Sequence, residues 1–580
     1  MAISLFAQDN EKLFLQKSKT DLITALQNGR SEFWIVFNEQ ADVSGAKQLK
    51  TKEEKGQFVF DKLTRLASRT QIPFIALLNR KGVKYQPFWI ANSIFIEGDI
   101  NLAKELASYP EVKELLPNPK LHVQKPVNLS SDEAVRMDSF GARQDASSVA
   151  TIEWNISKVN APQVWAMGYK GQGAVVGGHD TGYEWDHLAI QDQYRGWNGV
   201  IADHNFNWHD AIHTGSGGPC GLDSKFPCDD LNHGTHTMGT MVGDDGSGNQ
   251  IGTAPMAKWI GARNMDQGTG TLTTYIECFQ WFLAPTDLNN QNPMPSKAPD
   301  VINNSWGCDA AEGCNTSNFT TMETAVNNLR AAGIVIIGTG DNDGPACNTI
   351  TTPPTFYVGT FAVGSTSNSD AVLNSSGRGN ISVDGSGRIK PDICAPGANV
   401  RSCIPGGGYT TMSGTSMAGP NVAGAVALLI SAVPSLRGQV DTIESILEKT
   451  AIRITSTQTC NGTSPSTYPN NTVGYGRIDI LAAVKYALAT STSDNRQSLT
   501  KGVTIFPMPV KDKFFVLFNY EPDKAVEVTL LNTTGQVILE KTTTLHNSSL
   551  EIPVDELSKG FYLYSIKTAH KTYYGKFIKE

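Results

Sequence analysis

The chain has 580 residues, a formal net charge of −8 and 18 % charged residues. With no long basic run, this composition excludes a nucleic-acid binder driven by phosphate contacts. The length favours several domains of roughly 150 residues each, and the lack of an apolar run of about 18 residues predicts no membrane-spanning helix.

In chain order, residues 1–8 end a short apolar run on Ala7 and read as the tail of a signal peptide, or else as a terminus without meaning. Residues 9–120 read as a small α+β module. A strand covers 33–37, and 51–69 carry Phe58, Leu63 and Leu66 at helical spacing. Strands at 88–90 and 93–96, a short amphipathic helix at 101–107 and a last strand at 112–116 complete it. From Asn118-Pro119 onward the chain turns polar and loses periodicity. We assign 121–150 as an exposed linker, the kind of segment where proteolytic nicking concentrates.

Residues 151–490 read as an α/β domain. A buried strand from Ala174 ends on Asp180, and Asn232-His233-Gly234-Thr235-His236 opens a small-residue helix. Between them, 190–231 is long and irregular, with His204, His209 and His213. The last two are four apart and would suit a metal on a helix, but no Glu-containing zincin motif accompanies them, which favours a surface loop. Residues 243–249 form an acidic turn whose spacing does not fit an EF-hand. A strand through Arg263 leads to a Gly-rich loop with Gly268 and Gly270, and another strand ends on Ser305-Trp306-Gly307. After Gly333 a buried strand reaches Asp341-Asn342-Asp343-Gly344. Gly414-Thr415-Ser416-Met417-Ala418-Gly419-Pro420 then enters an apolar helix over 421–430. Small neighbours leave room at the Ser416 hydroxyl, and a helix start favours a developing anion. Pro420 suits the first turn.

All nine cysteines lie between 220 and 460, and none forms a C-x-x-C. The close pairs Cys220/Cys228, Cys308/Cys314 and Cys394/Cys403 are candidate loop disulfides in an oxidising compartment. The odd count leaves at least one thiol. A second linker at 491–500 precedes 501–580, where alternating apolar residues and turns predict a small β-sandwich.

The stretches carrying Asp180, His233 and Ser416 together resemble the subtilisin-like (subtilase) serine proteases, in that family's order. The resemblance covers about 150–490, with support from Lys390 to Gly397 and Gly474 to Asp479. It implies a parallel sheet between helices and an Asp180–His233–Ser416 triad. It also implies that Asn342 donates to the oxyanion and that Gly268, Gly270, Ser305, Trp306 and Gly307 bind substrate. Asp341 stands where the family usually has Gly; a register one residue earlier would put Asp341 in the donor's place, but an ionised carboxylate cannot donate. Trp306 either narrows a subsite or packs beneath it. By the same resemblance, 9–120 is a propeptide that assists folding and caps the site, the alternative being a stable accessory domain. Catalysis needs no cofactor, and a structural calcium ion is plausible at an unassigned site.

Residues 501–580 resemble the C-terminal sorting module of type IX secretion. The resemblance rests on Ile505-Phe506-Pro507-Met508-Pro509-Val510, the turn before Gly535, Gly560-Phe561-Tyr562 and the closing residues. Met508 departs from the family's usual Asn, and a carbohydrate- or protein-binding β-module is the alternative. The expectation is a secreted endopeptidase made as a zymogen. Its partners are a protein or peptide substrate, its own propeptide and the type IX machinery, with no nucleic acid and no transmembrane segment. Two rivals are a catalytically silent binding protein of the same fold and a metal-dependent hydrolase using the 204–213 histidines.

Overall fold

The computed structural model describes residues 2–29, 31–123, 126–127, 151–308, 314, 319–494, 503–506, 509–518, 525–532, 534–544, 549–568 and 572–580. The chain divides into two units, Met1–Tyr486 and Ala487–Glu580.

The first unit begins with a helix, Ala2–Lys17, followed by a four-stranded antiparallel sheet in the order Tyr85–Phe88, Ser93–Gly98, Ser31–Phe37, Val112–Pro117. Successive strand residues point to opposite faces, and Ser31–Phe37 uses both. Phe33, Ile35 and Phe37 enter the module's own core with Phe74, Leu78 and Leu106. Trp34 and Val36 join a different cluster, shared with Tyr275, Phe279, Met322 and Val326 of the α/β domain. The module is therefore built with one face for itself and one for a neighbour. The helix Lys52–Thr70 starts with a capping box, in which the Thr51 side chain accepts from the Glu54 N–H and Glu54 from that of Thr51. The helix Ile72–Lys81 was not predicted from the sequence.

The α/β domain is built on seven parallel strands. Their order is Ile393–Pro396, Phe361–Thr366, Val335–Thr339, Val301–Asn304, Val175–Asp180, Lys258–Arg263, Trp208–Asp210. The central strands are buried throughout, as expected where helices cover both faces. In such sheets functional groups gather beyond the carboxyl ends of the strands, and Asp180 ends its strand there. The helices His233–Val242 and Thr415–Ala432 pack against each other beside it.

Several expectations change. Thr415–Ala432 is long and apolar enough to cross a membrane, yet 94 % of it is buried inside the domain. Pro420 lies inside this helix rather than in its first turn. Proline has no N–H for the carbonyl four residues earlier, that of Ser416, and Ser305 Oγ donates to it instead at 3.2 Å. Cys220–Cys228 and Cys308–Cys314 are bridged, but Cys394 and Cys403 are separate buried thiols, and Cys347 pairs with Cys460 across 113 residues. Cys394 and Cys403 sit on different strands, with Cys394 Sγ 3.6 Å from the Val473 carbonyl oxygen and Cys403 Sγ 3.5 Å from that of Thr235. The 121–150 linker begins as the strand Lys120–Val123, and 128–150 lie outside the described residues. The helix Ile480–Asp494 runs into the expected second linker.

The second unit holds two antiparallel sheets. One orders Val503–Phe506, Lys513–Phe518, Ser549–Pro553; the other Val537–Thr544, Ala525–Asn532, Gly560–Lys567, Thr572–Lys579. Inward residues from both, among them Phe514, Val516, Val528, Ile566 and Phe577, form one core, which is the sandwich expected from the alternation. Met508 lies outside the described residues.

Candidate active site

The site grows from the end of the strand Val175–Asp180. Asp180 Oδ1 accepts from the Thr181 N–H at 2.8 Å and lies 2.8 Å from His233 Nδ1, with Oδ2 at 3.0 Å. An acceptor on that side places the ring proton on Nδ1 and leaves Nε2 as the basic nitrogen. His233 is the first residue of its helix, after Asn232 in a left-handed conformation (φ 70°). Sequence reasoning overlooked Asp229, which makes this entry possible. Its carboxylate accepts from Thr181 Oγ1, the N–H groups of Leu231 and Asn232, and both the N–H and Oγ1 of Thr235. The available signal was an Asp two residues before the backbone N–H it captures, the mark of an Asx turn. Gly234 is required here, because a Cβ would stand 2.1 Å from the Gly182 carbonyl oxygen.

Three buried histidines sit close together in this part of the fold, with different electrostatics. Burial drives His179 down to about 3, despite a hydrogen bond to Asn304, and His236 likewise to about 3. For His233, burial also lowers the pKa, but the charge and hydrogen bond of Asp180 outweigh it and the pKa ends raised. His233 alone of the three is prepared to take up a proton.

Ser416 is fully buried and is the second residue of its helix. Asn342 lies against the start of that helix, its Oδ1 accepting from the N–H and the Oγ1 of Thr415, each at 3.0 Å. That fixes the amide. Asn342 Nδ2 and His233 Nε2 are both buried without a hydrogen-bond partner among the described residues. Other buried polar atoms share that condition, Trp306 Nε1 and Asn303 Oδ1 among them, but this pair joins a donor and a base. Asp341, in a left-handed conformation (φ 51°), turns its carboxylate away onto the 351–352 turn. It accepts from the N–H groups of Thr351 and Thr352 and from Thr352 Oγ1. Burial outweighs these donors and raises its pKa to about 7.

The two groove walls enclose a strand of the chain itself. Lys120–Val123 lies antiparallel between Thr269–Thr271 and Trp306–Gly307, with Leu121 opposite Gly270 and His122 opposite Gly307. The Val123 N–H donates to the Gly268 carbonyl at 2.9 Å, and the Val127 N–H to that of Ser413 at 2.8 Å. Val127 is thus held at Ser413, two residues before the Ser416 helix begins. A Cβ on Gly270 would stand 2.3 Å from the Asn264 carbonyl oxygen, so the wall needs glycine there. Trp306 is fully buried on Tyr275, with ring centroids 4.1 Å apart, and packs beneath the groove rather than narrowing it. Ser305 Oγ links Asn303 Nδ2 to the Ser416 carbonyl.

The remaining histidines are placed elsewhere. His209 is buried on the edge strand Trp208–Asp210, not on a surface loop. His209 Nε2 and His213 Nε2 each lie 2.9 Å from Glu277 Oε1, and the hydrogen bond to Glu277 raises His213 to about 9. Among the described residues no three His, Cys, Asp or Glu side chains are grouped to hold a metal. In the acidic turn, Asp244 and Asp245 carboxylates are engaged by the backbone N–H groups of Gly246, Ser247 and Asn249.

Residues 171–476 match the subtilase family, and residues 504–580 match a secretion system C-terminal sorting domain. Bacillopeptidase F of Bacillus subtilis (strain 168) is 34 % identical over 82 % of this chain and 32 % of its own length. Subtilisin E of the same organism is 29 % identical over 49 % of the chain and 62 % of its own length. A thermostable alkaline protease of Halalkalibacterium halodurans is 31 % identical over 67 % of the chain and 88 % of its own length. The chain spans about a third of the length of the first of these and under two thirds of the second.

Proposed function

The chain belongs to the subtilase family, and on that premise we propose that it is a secreted serine endopeptidase made as an inactive precursor. Its N-terminal module acts as the inhibiting prosegment. One observation carries the reading: the strand Lys120–Val123 pairs with both groove walls as a bound peptide would, and the Val127 N–H is held by the Ser413 carbonyl just before the Ser416 helix. Strand addition is how an extended peptide is held by its backbone while alternate side chains are tested by pockets. The fully buried Leu121 occupies such a pocket, near Trp306 and Tyr275.

In this mechanism Ser416 Oγ attacks the peptide carbonyl as His233 Nε2 takes its proton. Asp180 holds the Nδ1 proton and stabilises the imidazolium. Asn342 Nδ2 donates to the tetrahedral oxyanion, assisted by the positive end of the Ser416 helix. His233 then gives the proton to the leaving amine, and water repeats the sequence on the acyl-enzyme. Side chains carry every proton transfer. The prosegment bond that is cut lies between Val123 and Val127. The match of 504–580 to a sorting domain supports export through the type IX system, with the sandwich as the recognised signal.

The test is labelling of processed protein by a serine-directed phosphonate, read by intact mass. Labelling in the wild type and none in Ser416→Ala supports an activated Ser416. No labelling of folded, processed wild type overturns the mechanism and favours a binding role.

A further inference from the structure

The N-terminal module also meets the α/β domain at the opposite end of the parallel sheet. Asp300 immediately precedes the strand Val301–Asn304, whereas Asp180 ends the neighbouring strand. Lys52 reaches this end and is only 8 % exposed. Its Nζ donates to the Ala298 carbonyl at 2.7 Å and to Asp300 Oδ1 at 2.9 Å. Nearby, Lys55 Nζ donates to the Gly438 carbonyl at 2.6 Å, and Gln439 Nε2 to that of Lys50 at 2.8 Å. Gly438 permits the approach, since a Cβ there would lie 2.9 Å from that of Lys52.

The helix that carries these lysines gains nothing from them. Lys52 and Lys55 stand in its first turn, where the macrodipole opposes positive charge. Lysine is almost never buried without a partner. Docking accounts for both placements. The receiving carboxylate, in contrast, can do without its lysine. Asp300 Oδ2 accepts the Val175 N–H at 2.9 Å, and Arg437 Nε lies 3.3 Å from Oδ1. Arg437 is a third exposed and can remain as counter-ion when Lys52 leaves. The site is thus tolerant of being emptied, and Arg437 repels the occupant while it is there.

Resting on the prosegment reading, we propose that Lys52 and Asp300 form a latch, remote from the groove, that keeps the prosegment seated after its bond is cut. Activity then appears when the latch opens, not when the chain is severed. A groove strand that lets go remains at high effective concentration while the far end holds, and so rebinds.

The experiment compares full-length wild type, Lys52→Met and Arg437→Ala during self-processing. It follows the cut by intact mass, retention of the N-terminal fragment by size exclusion, and the delay from cut to peptide hydrolysis. For Lys52→Met, cutting proceeds, the fragment is lost, and the delay shortens about 10-fold or more, since truncating one partner of a buried charge pair acts on dissociation. Arg437→Ala lies outside the prosegment and leaves it intact. It lengthens the delay, because Asp300 then loses the cation in contact that replaces Lys52 and keeps only the more distant Arg195. If both variants cut and release as the wild type does, the latch is wrong and the prosegment reading stands. If the wild type is never cut between Val123 and Val127, the prosegment reading fails and the latch with it.

Discussion

Asp341→Asn isolates the contribution of the carboxyl group beside Asn342, the proposed oxyanion donor. Burial raises the Asp341 pKa to about 7 in the folded chain, against about 3.9 unfolded. The native state therefore keeps a proton that the unfolded state releases. A raised carboxyl pKa stabilises the fold fully below the unfolded value, and that stabilisation is lost as pH rises through the folded value. Three pH units at about 1.4 kcal/mol each give a loss of about 4 kcal/mol between pH 4 and pH 7. Asparagine does not titrate. Its carbonyl can accept the two N–H groups now on Oδ2, and its amide can donate to Thr352 Oγ1 after the hydroxyl rotates. It also tolerates the left-handed backbone. Urea unfolding in a Ser416→Ala background, which removes self-digestion, reads the difference between chains with and without the Asp341→Asn substitution. The gap should widen in favour of asparagine by about 4 kcal/mol from pH 4 to pH 8. A gap that stays flat across that range means the three donors keep the carboxylate ionised throughout, and the argument from burial is wrong.

Asn342→Ala should lower kcat on the order of 10²–10³-fold with little change in KM, the loss known for an oxyanion donor in subtilisin; steady-state kinetics on a chromogenic peptide measure it. Because Asp180 raises the His233 pKa, kcat/KM should rise with pH along a limb lying above the ordinary histidine value near 6.5. A pH–rate profile with that limb at or below 6.5 contradicts the assigned pairing. Cys347→Ser opens a loop of 113 residues and should cost about 5 kcal/mol on the chain-entropy view, read by urea unfolding of the Ser416→Ala chain.

The strand and helix positions of Asp180, His233 and Ser416 were legible because each sits at a change of hydrophobic period. Four of the seven strands and the terminal sandwich were legible from their apolar runs, but Phe361–Thr366 and Ile393–Pro396 were not singled out as strands, and Trp208–Asp210 lay in a stretch read as irregular. What stayed hidden depends on contacts across long separations. Nothing local distinguishes Lys120–Val123 from linker, because its partners at 269–271 and 306–307 supply the pairing. The closeness of Cys394 and Cys403 in sequence suggested a bridge, whereas Cys347 and Cys460 meet only in the folded domain. Pro420 looked like a helix opener because sequence alone does not reveal that Ser305 takes over as donor to the Ser416 carbonyl.

If the N-terminal module is released as proposed, the two-faced strand Ser31–Phe37 bears on what becomes of it. Separation uncovers the side carrying Trp34, Val36, Phe88 and Leu116, all nearly or fully buried in the joined state. Its inner core alone must then hold it together, and water now bathes an apolar sheet face. Such a fragment opens readily, and open chains are what an endopeptidase digests. The first molecules freed would clear the inhibitor of those that follow, so that activation spreads through the population and does not run backwards.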